Sequence, residues 1–90
     1  MKIGFSPEAK KELVRIKRKN PDLIKKIHKQ LQLLTLNPKH PSLRLHKLSG
    51  NLNNFWSISI TRDFRMIYQL KSEDTAYFVD IGTHDEVYGK

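Results

Sequence analysis

Four residues of this chain are of the types that move protons and hold phosphate: His46, Asp63, Arg65 and His84. An imidazole, with an ordinary pKa near about 6.5, can act as general base or general acid at neutral pH, and a pair can supply both. An arginine beside them can hold a phosphate, because its planar fork pairs with two oxygens at once. Together this is equipment for cutting RNA through attack of its own 2′-hydroxyl. It offers a base for that proton, an acid for the leaving 5′-oxygen and a cation for the charge that builds on phosphorus. Each residue also has a plain structural reading. His46 can bond a loop carbonyl, Asp63 is a good turn residue, Arg65 can face water on an open sheet, and His84 can belong to a solvated tail.

The hydrophobic pattern decides where these groups would stand. Residues 2–5 alternate weakly and read as a short strand. Ser6-Pro7-Glu8 then opens a helix to about Lys19, with a capping serine, a proline where the missing N–H costs nothing and an acid that complements the dipole. Asn20-Pro21-Asp22 restarts a second helix, whose stripe of Leu23, Ile24, Ile27, Leu31 and Leu34 ends near Asn37, before Pro38. Two helices with so short a break form an antiparallel pair. From Asn37 to Asn54 no period is clear, and Pro38, Pro41, Ser42, Ser49 and Gly50 read as loop, partly docked through Leu43, Leu45 and Leu48. Three alternating strands follow, Phe55–Ile60, Phe64–Leu70 and Thr75–Ile81, linked by Thr61-Arg62-Asp63 and by Lys71–Asp74.

This order, β, α, α, β, β, β, is that of a two-layer α+β fold with two N-terminal helices on one face of a small, mainly antiparallel sheet. The other face, carrying Ser57, Ser59, Arg65 and Gln69, reads as solvated. In the last strand Tyr77, Val79 and Ile81 are expected on one face, with Ala76, Phe78 and Asp80 on the other. His46 then precedes the strands, Asp63 sits in their first turn, Arg65 lies on the open face, and His84 falls just past the last strand in a polar tail that includes Tyr88 and Gly89.

The chain has 90 residues and no cysteine, which suits a single domain over 1–90 with neither disulfides nor a thiolate metal site. A metal pair of His40 and His46 lacks a third clustered ligand, and His28 reads as solvent-facing among lysines. No stretch reads as a signal or a membrane span, so the expectation is a cytoplasmic protein without a membrane partner. Residues 1–48 hold 13 Lys and Arg against 3 Asp and Glu, net +10, while residues 49–90 hold 4 against 6, net −2. Such a basic half suits a polyanionic partner, nucleic acid before membrane, although a lysine-rich helix face also serves solubility.

Three motifs carry a resemblance over the whole chain: Leu43-Arg44-Leu45-His46-Lys47-Leu48-Ser49-Gly50, then Arg62-Asp63-Phe64-Arg65-Met66-Ile67-Tyr68, then Ile81-Gly82-Thr83-His84. With the element order they resemble the RelE/ParE superfamily of toxins from type II toxin–antitoxin modules, nearest to its YafQ-type branch of mRNA interferases. The resemblance implies a ribosome-dependent, metal-independent endoribonuclease that needs no cofactor. Its partners would be messenger RNA, the ribosome and a cognate antitoxin, with promoter DNA reached only through the antitoxin. It implies catalytic roles for His46, Asp63, Arg65 and His84. Lys39, Arg44, Lys47, Arg62 and the helix lysines would hold RNA backbone, and Tyr88 would offer a ring for stacking on a base. The chain departs from that branch at Ser59, where a further histidine is expected. Two other readings keep the fold: a ParE-type inhibitor of DNA gyrase without nuclease activity, and a binding module that only docks an antitoxin.

Overall fold

The computed structural model describes residues 1–48 and 54–88, except for the side chain of Tyr88. Strand β1 (Lys2–Phe5) leads into helices α1 (Pro7–Lys19) and α2 (Pro21–Leu36). The caps explain both boundaries. Ser6 Oγ accepts the Ala9 N–H at 3.1 Å, and Pro7 takes the first helical position. Asn20 closes α1 through its N–H to Ile16 O at 2.7 Å and opens α2 by accepting the Leu23 N–H on Oδ1 at 3.1 Å. One residue thus ends one helix and starts the next, leaving no slack between them.

A 3₁₀ turn (Pro41–Leu43) and strand β2 (His46–Lys47) follow, then β3 (Phe55–Ser59), β4 (Phe64–Ser72), β5 (Thr75–Thr83) and a short helix α3 (His84–Tyr88). The five strands form one sheet in the order β1-β5-β4-β3-β2, antiparallel except where β1 runs parallel to β5. Helices α1 and α2 cover one face. Ala9, Ile16, Ile24, Ile27 and Leu34 meet Ile58, Met66, Tyr68, Ala76, Phe78 and Ile81 there, all buried. Phe78 is the hub of that layer, with the Phe5 ring stacked at 5.7 Å and the Tyr68 ring edge-on at 5.3 Å.

The structure corrects the sequence reading in four places. The 37–54 loop contributes a fifth strand, β2, which at two residues is too short to show any period. Its leucines do dock, but to opposite sides: Leu43 and Leu45 join the helix-side core, whereas Leu48 packs with Ile67 and Val87 on the far face. Ser49 and Gly50 lie outside the described residues.

Strand β5 carries a bulge. Ile67 pairs with Asp80 but Tyr68 with Phe78, so Val79 is the extra residue. Phe78 and Ile81 therefore share the helix-side core, while Val79 packs on the far face, and Ile81 does not share a face with Tyr77 and Val79 as simple alternation requires. The far face is also less solvated than its polar residues imply. Leu48, Ile67 and Val87, flanked by Phe55 and Val79, make a second small core, and Ser57 and Ser59 are buried.

The chain after β5 is helical rather than an irregular tail. Thr83 accepts the Glu86 N–H on Oγ1 at 3.2 Å, and Glu86 Oε1 accepts the Thr83 N–H at 2.8 Å. This reciprocal pair is a capping box, and Val87 fastens the short helix to the second core. Gly89 lies outside the described residues.

Candidate active site

Sheet register places the candidate residues on the far face. His46 stands opposite Ser57 on β3, which stands opposite Ile67 on β4. Arg65, two residues before Ile67 and so on the same face, lies between Ser59 and Gly82. His84 follows Gly82 by two residues, at the first position of α3. The result is an open cleft of about 510 Å³ lined by Arg44, Leu45, His46, Arg65 and His84. A second hollow shares Arg44 and Arg65 and adds Ser59, Ile60, Thr61 and Arg62, so three arginines line two adjoining hollows.

Each wall is held by identifiable contacts. His84 donates its N–H to Asp63 O at 2.8 Å, and its Nδ1 lies 3.8 Å from the Asp85 carboxylate. Arg44 follows the 3₁₀ turn with φ 47°, in the left-handed region, and donates its N–H to Pro41 O at 3.1 Å. That conformation costs a non-glycine residue roughly 1 kcal/mol or more and swings the chain from buried Leu43 to exposed His46. Gln30, buried in α2, donates through Nε2 to Ser42 O at 3.1 Å and to Ser59 O at 2.8 Å. One amide therefore ties the turn carrying Arg44 and His46 to the end of the strand that faces Arg65.

Arg65 is half-buried, and its Nε is out of water with no hydrogen-bond partner among the described residues. A buried guanidinium N–H without an acceptor is costly, and it suits a site whose acceptor arrives with a ligand. Ser59, where the resemblance expects a histidine, donates its hydroxyl to Thr61 O at 2.8 Å and is buried. It shapes the turn before β4, and the ionisable group at that level of the sheet is Arg65.

The other sequence candidates are placed differently. The Asp63 side chain is exposed and lines a separate hollow with Asn20, Asp22, Leu23, Lys26, Thr61, Phe64 and Thr83. What Asp63 gives His84 is its backbone carbonyl. Lys47 sits with Nζ 5.8 Å from the Trp56 ring centre, a cation–π contact on the β2–β3 edge. Lys39 is exposed in the turn after α2 and does not line the cleft. Tyr88 ends α3, and its side chain lies outside the described residues.

His40 uses Nδ1 to accept the Ser42 N–H at 3.1 Å, which caps the 3₁₀ turn. Among the described residues no three His, Cys, Asp or Glu side chains gather as metal ligands. A somewhat larger cleft, about 570 Å³, lies between α1, β5 and α3. Its charged lining is Glu8, Glu12, Asp80, Asp85 and Glu86 with Arg15, a mostly acidic wall that suits a polyanion poorly. Size and chemistry point to different hollows, and the chemistry decides for the cleft between His46 and His84.

Comparison with known proteins agrees with this architecture. The family model described as the ParE toxin of the type II toxin–antitoxin system parDE matches residues 3–88. The chain belongs to this toxin family. The toxin is 28% identical over 89 residues to a protein named as toxin RelE4 in Methanocaldococcus jannaschii, across 98% of this chain and 90% of the relative. Among solved structures, YafQ in the E. coli DinJ–YafQ complex superposes with a TM-score of 0.80 at 21% identity, covering 97% of each chain. The YoeB–YefM complex of Staphylococcus aureus gives 0.78 at 24% identity, covering 93% of the toxin and 97% of the matched chain. These likenesses show the fold, a RelE/ParE toxin fold close to YafQ.

Two contributors were not singled out from the sequence. Gln30 falls on the apolar stripe of α2, between Ile27 and Leu34. A polar residue at a core-facing position is the signal that could have found it. Thr83-His84-Asp85-Glu86 has the spacing of a capping box, which would have turned the polar tail into a helix starting at His84.

Proposed function

We propose that this toxin is an endoribonuclease that cuts messenger RNA on the ribosome by transesterification. The observation that carries the reading is the convergence of His46, His84, Arg65 and Arg44 on one open cleft. One imidazole takes the proton of the ribose 2′-hydroxyl as its oxygen attacks phosphorus, and the other gives a proton to the departing 5′-oxygen. The products are a 2′,3′-cyclic phosphate and a free 5′-hydroxyl. Arg65, with its unpartnered Nε, and Arg44 meet the charge that builds on the phosphoryl oxygens. The chain's own groups supply base, acid and cation, so the step is metal-independent and uses no cofactor.

The proton-transfer pair is taken as His46 and His84, because the Asp63 carboxylate lines another hollow. Asp63 acts here by fixing the His84 backbone. Arg62 borders the arginine surface and would hold flanking phosphate, with Lys39, Lys47 and the helix lysines as longer-range electrostatic contacts. The solved YoeB–YefM and DinJ–YafQ complexes support a cognate antitoxin as partner, and promoter DNA would be reached through it. Both toxin and target would be cytoplasmic.

A second reading, inhibition of DNA gyrase, is favoured by the ParE family match and by Ser59 in place of a histidine. Translation extracts and gyrase supercoiling assays separate the two. Message cleavage that is lost in a His46→Ala, His84→Ala double variant supports the nuclease. Gyrase inhibition that survives the double variant, without cleavage, supports the alternative.

A further inference from the structure

Resting on the nuclease reading of this cleft, we propose that Glu86 is a positioning residue for His84, acting by capping rather than by charge. Helix α3 has five residues, far too few to hold together by backbone bonds alone, and it must present an exposed imidazole at its first position. Three contacts fix the backbone there. Thr83 N–H goes to Glu86 Oε1 at 2.8 Å, Glu86 N–H to Thr83 Oγ1 at 3.2 Å, and His84 N–H to Asp63 O at 2.8 Å. His84 therefore stands between a strand end tied to Glu86 and a turn tied by its own amide.

The surroundings are built for this fold-back. A Cβ at Gly82 would lie 3.1 Å from Glu86 Cβ and 3.2 Å from its Oε1, so the glycine leaves the space in which the Glu86 side chain returns. Val87, the next residue, packs with Leu48 and Ile67 and anchors the far end of the helix. Arg15 across the acidic cleft also attracts Glu86, but its guanidinium is bound first to Glu12, whose hydrogen bond and charge raise its pKa most.

A misplacement of the acting group by about 1 Å can cost up to roughly 10²-fold in rate. Loss of the cap should therefore lower kcat about tenfold or more, with little effect on KM. The decisive comparison is Glu86→Ala against Glu86→Gln. Glutamine keeps the Oε1 acceptor and removes the charge, so it separates capping from an electrostatic effect on His84. Among the described residues, Asp85 on its own helix lies near the His84 ring and Arg44, His46 and Arg65 line the same cleft, and both variants keep them.

The test pairs single-turnover cleavage of message with NMR of the toxin. The NMR reads Cα shifts of residues 84–87. Expected for Glu86→Ala are a fall in kcat of about tenfold with KM within about twofold and loss of the helical shifts. Glu86→Gln should restore the helical shifts and bring kcat back to within about threefold of wild type. Wild-type kcat in Glu86→Ala, or a glutamine variant no better than alanine, overturns the proposal. If wild type and His84→Ala show the same cleavage, the nuclease reading fails. The NMR comparison then still judges the cap: unchanged helical shifts in Glu86→Ala overturn it.

Discussion

Replacing Arg65 with alanine should lower activity without lowering stability, and the structure supplies both signs. Removing one preorganised donor aimed at developing negative charge costs about 10²–10³ in kcat. Arg44 remains in the same cleft to carry part of that charge, so a loss near 10² is expected. For stability, a buried N–H without a partner costs about 1–3 kcal/mol, and Arg65 Nε is such a group. Arg44 and Arg62 border the same hollow and add like-charge repulsion. Against these stands the packing lost with the half-buried stem of Arg65. The two sides nearly cancel, and the free energy of unfolding should move by no more than about 1 kcal/mol. Single-turnover cleavage in a translation extract and urea denaturation read the two quantities. Arg65→Lys keeps the charge without the fork and should recover only part of the rate. A kcat within about threefold of wild type in Arg65→Ala would remove Arg65 from the mechanism, and a stability loss above about 2 kcal/mol would show it to be structural.

Gln30→Leu keeps the volume on α2 but leaves Ser42 O and Ser59 O without their amide donor, so urea denaturation should show a loss of about 2 kcal/mol. Hydrogen exchange should show the larger change at residues 41–47 than in α1. Tyr68 is buried, and desolvation raises its pKa above the ordinary 10.0. Above pH 10 the unfolded chain releases this proton while the folded one keeps it, so stability present at lower pH is lost as pH rises towards the folded pKa. Tyr68→Phe should make the alkaline fall in stability shallower by up to about 1.4 kcal/mol per pH unit, as read by denaturation at pH 9–11. Binding to RNA should weaken steeply between about 50 and 200 mM salt, and Arg62→Ala should reduce the slope of log affinity against log salt by about one phosphate contact.

The helix pair was legible because Ser6-Pro7-Glu8 and Asn20-Pro21-Asp22 each place cap, first turn and dipole charge in three successive residues. The three long strands were legible from alternation alone. Strand β2 was not, since His46-Lys47 is too short to have a period, and its pairing depends on Ser57 and Trp56 far along the chain. The bulge at Val79 was hidden for a related reason. A local reading counts residues along one strand, whereas a bulge is a mismatch between two.

The same distinction governs the cleft. Residue types and a family resemblance singled out His46, Arg65 and His84, but their sharing one face follows from the register across β2, β3, β4 and β5. Asp63 has the chemistry of a general base in the sequence. In the fold its carboxylate lies with Asn20 and Lys26, and its carbonyl serves His84. Gln30 and Glu86 escaped notice because their contacts, unlike their types, are what matter.

Cleavage-site mapping on translated messages tests the central claim most directly, comparing wild type with His84→Ala and the His46→Ala, His84→Ala double variant. Wild type should cut within translated codons and leave 2′,3′-cyclic phosphate ends, and both variants should lose those cuts while remaining folded. Absence of cuts with the wild type, or cuts that persist in the double variant, would contradict it.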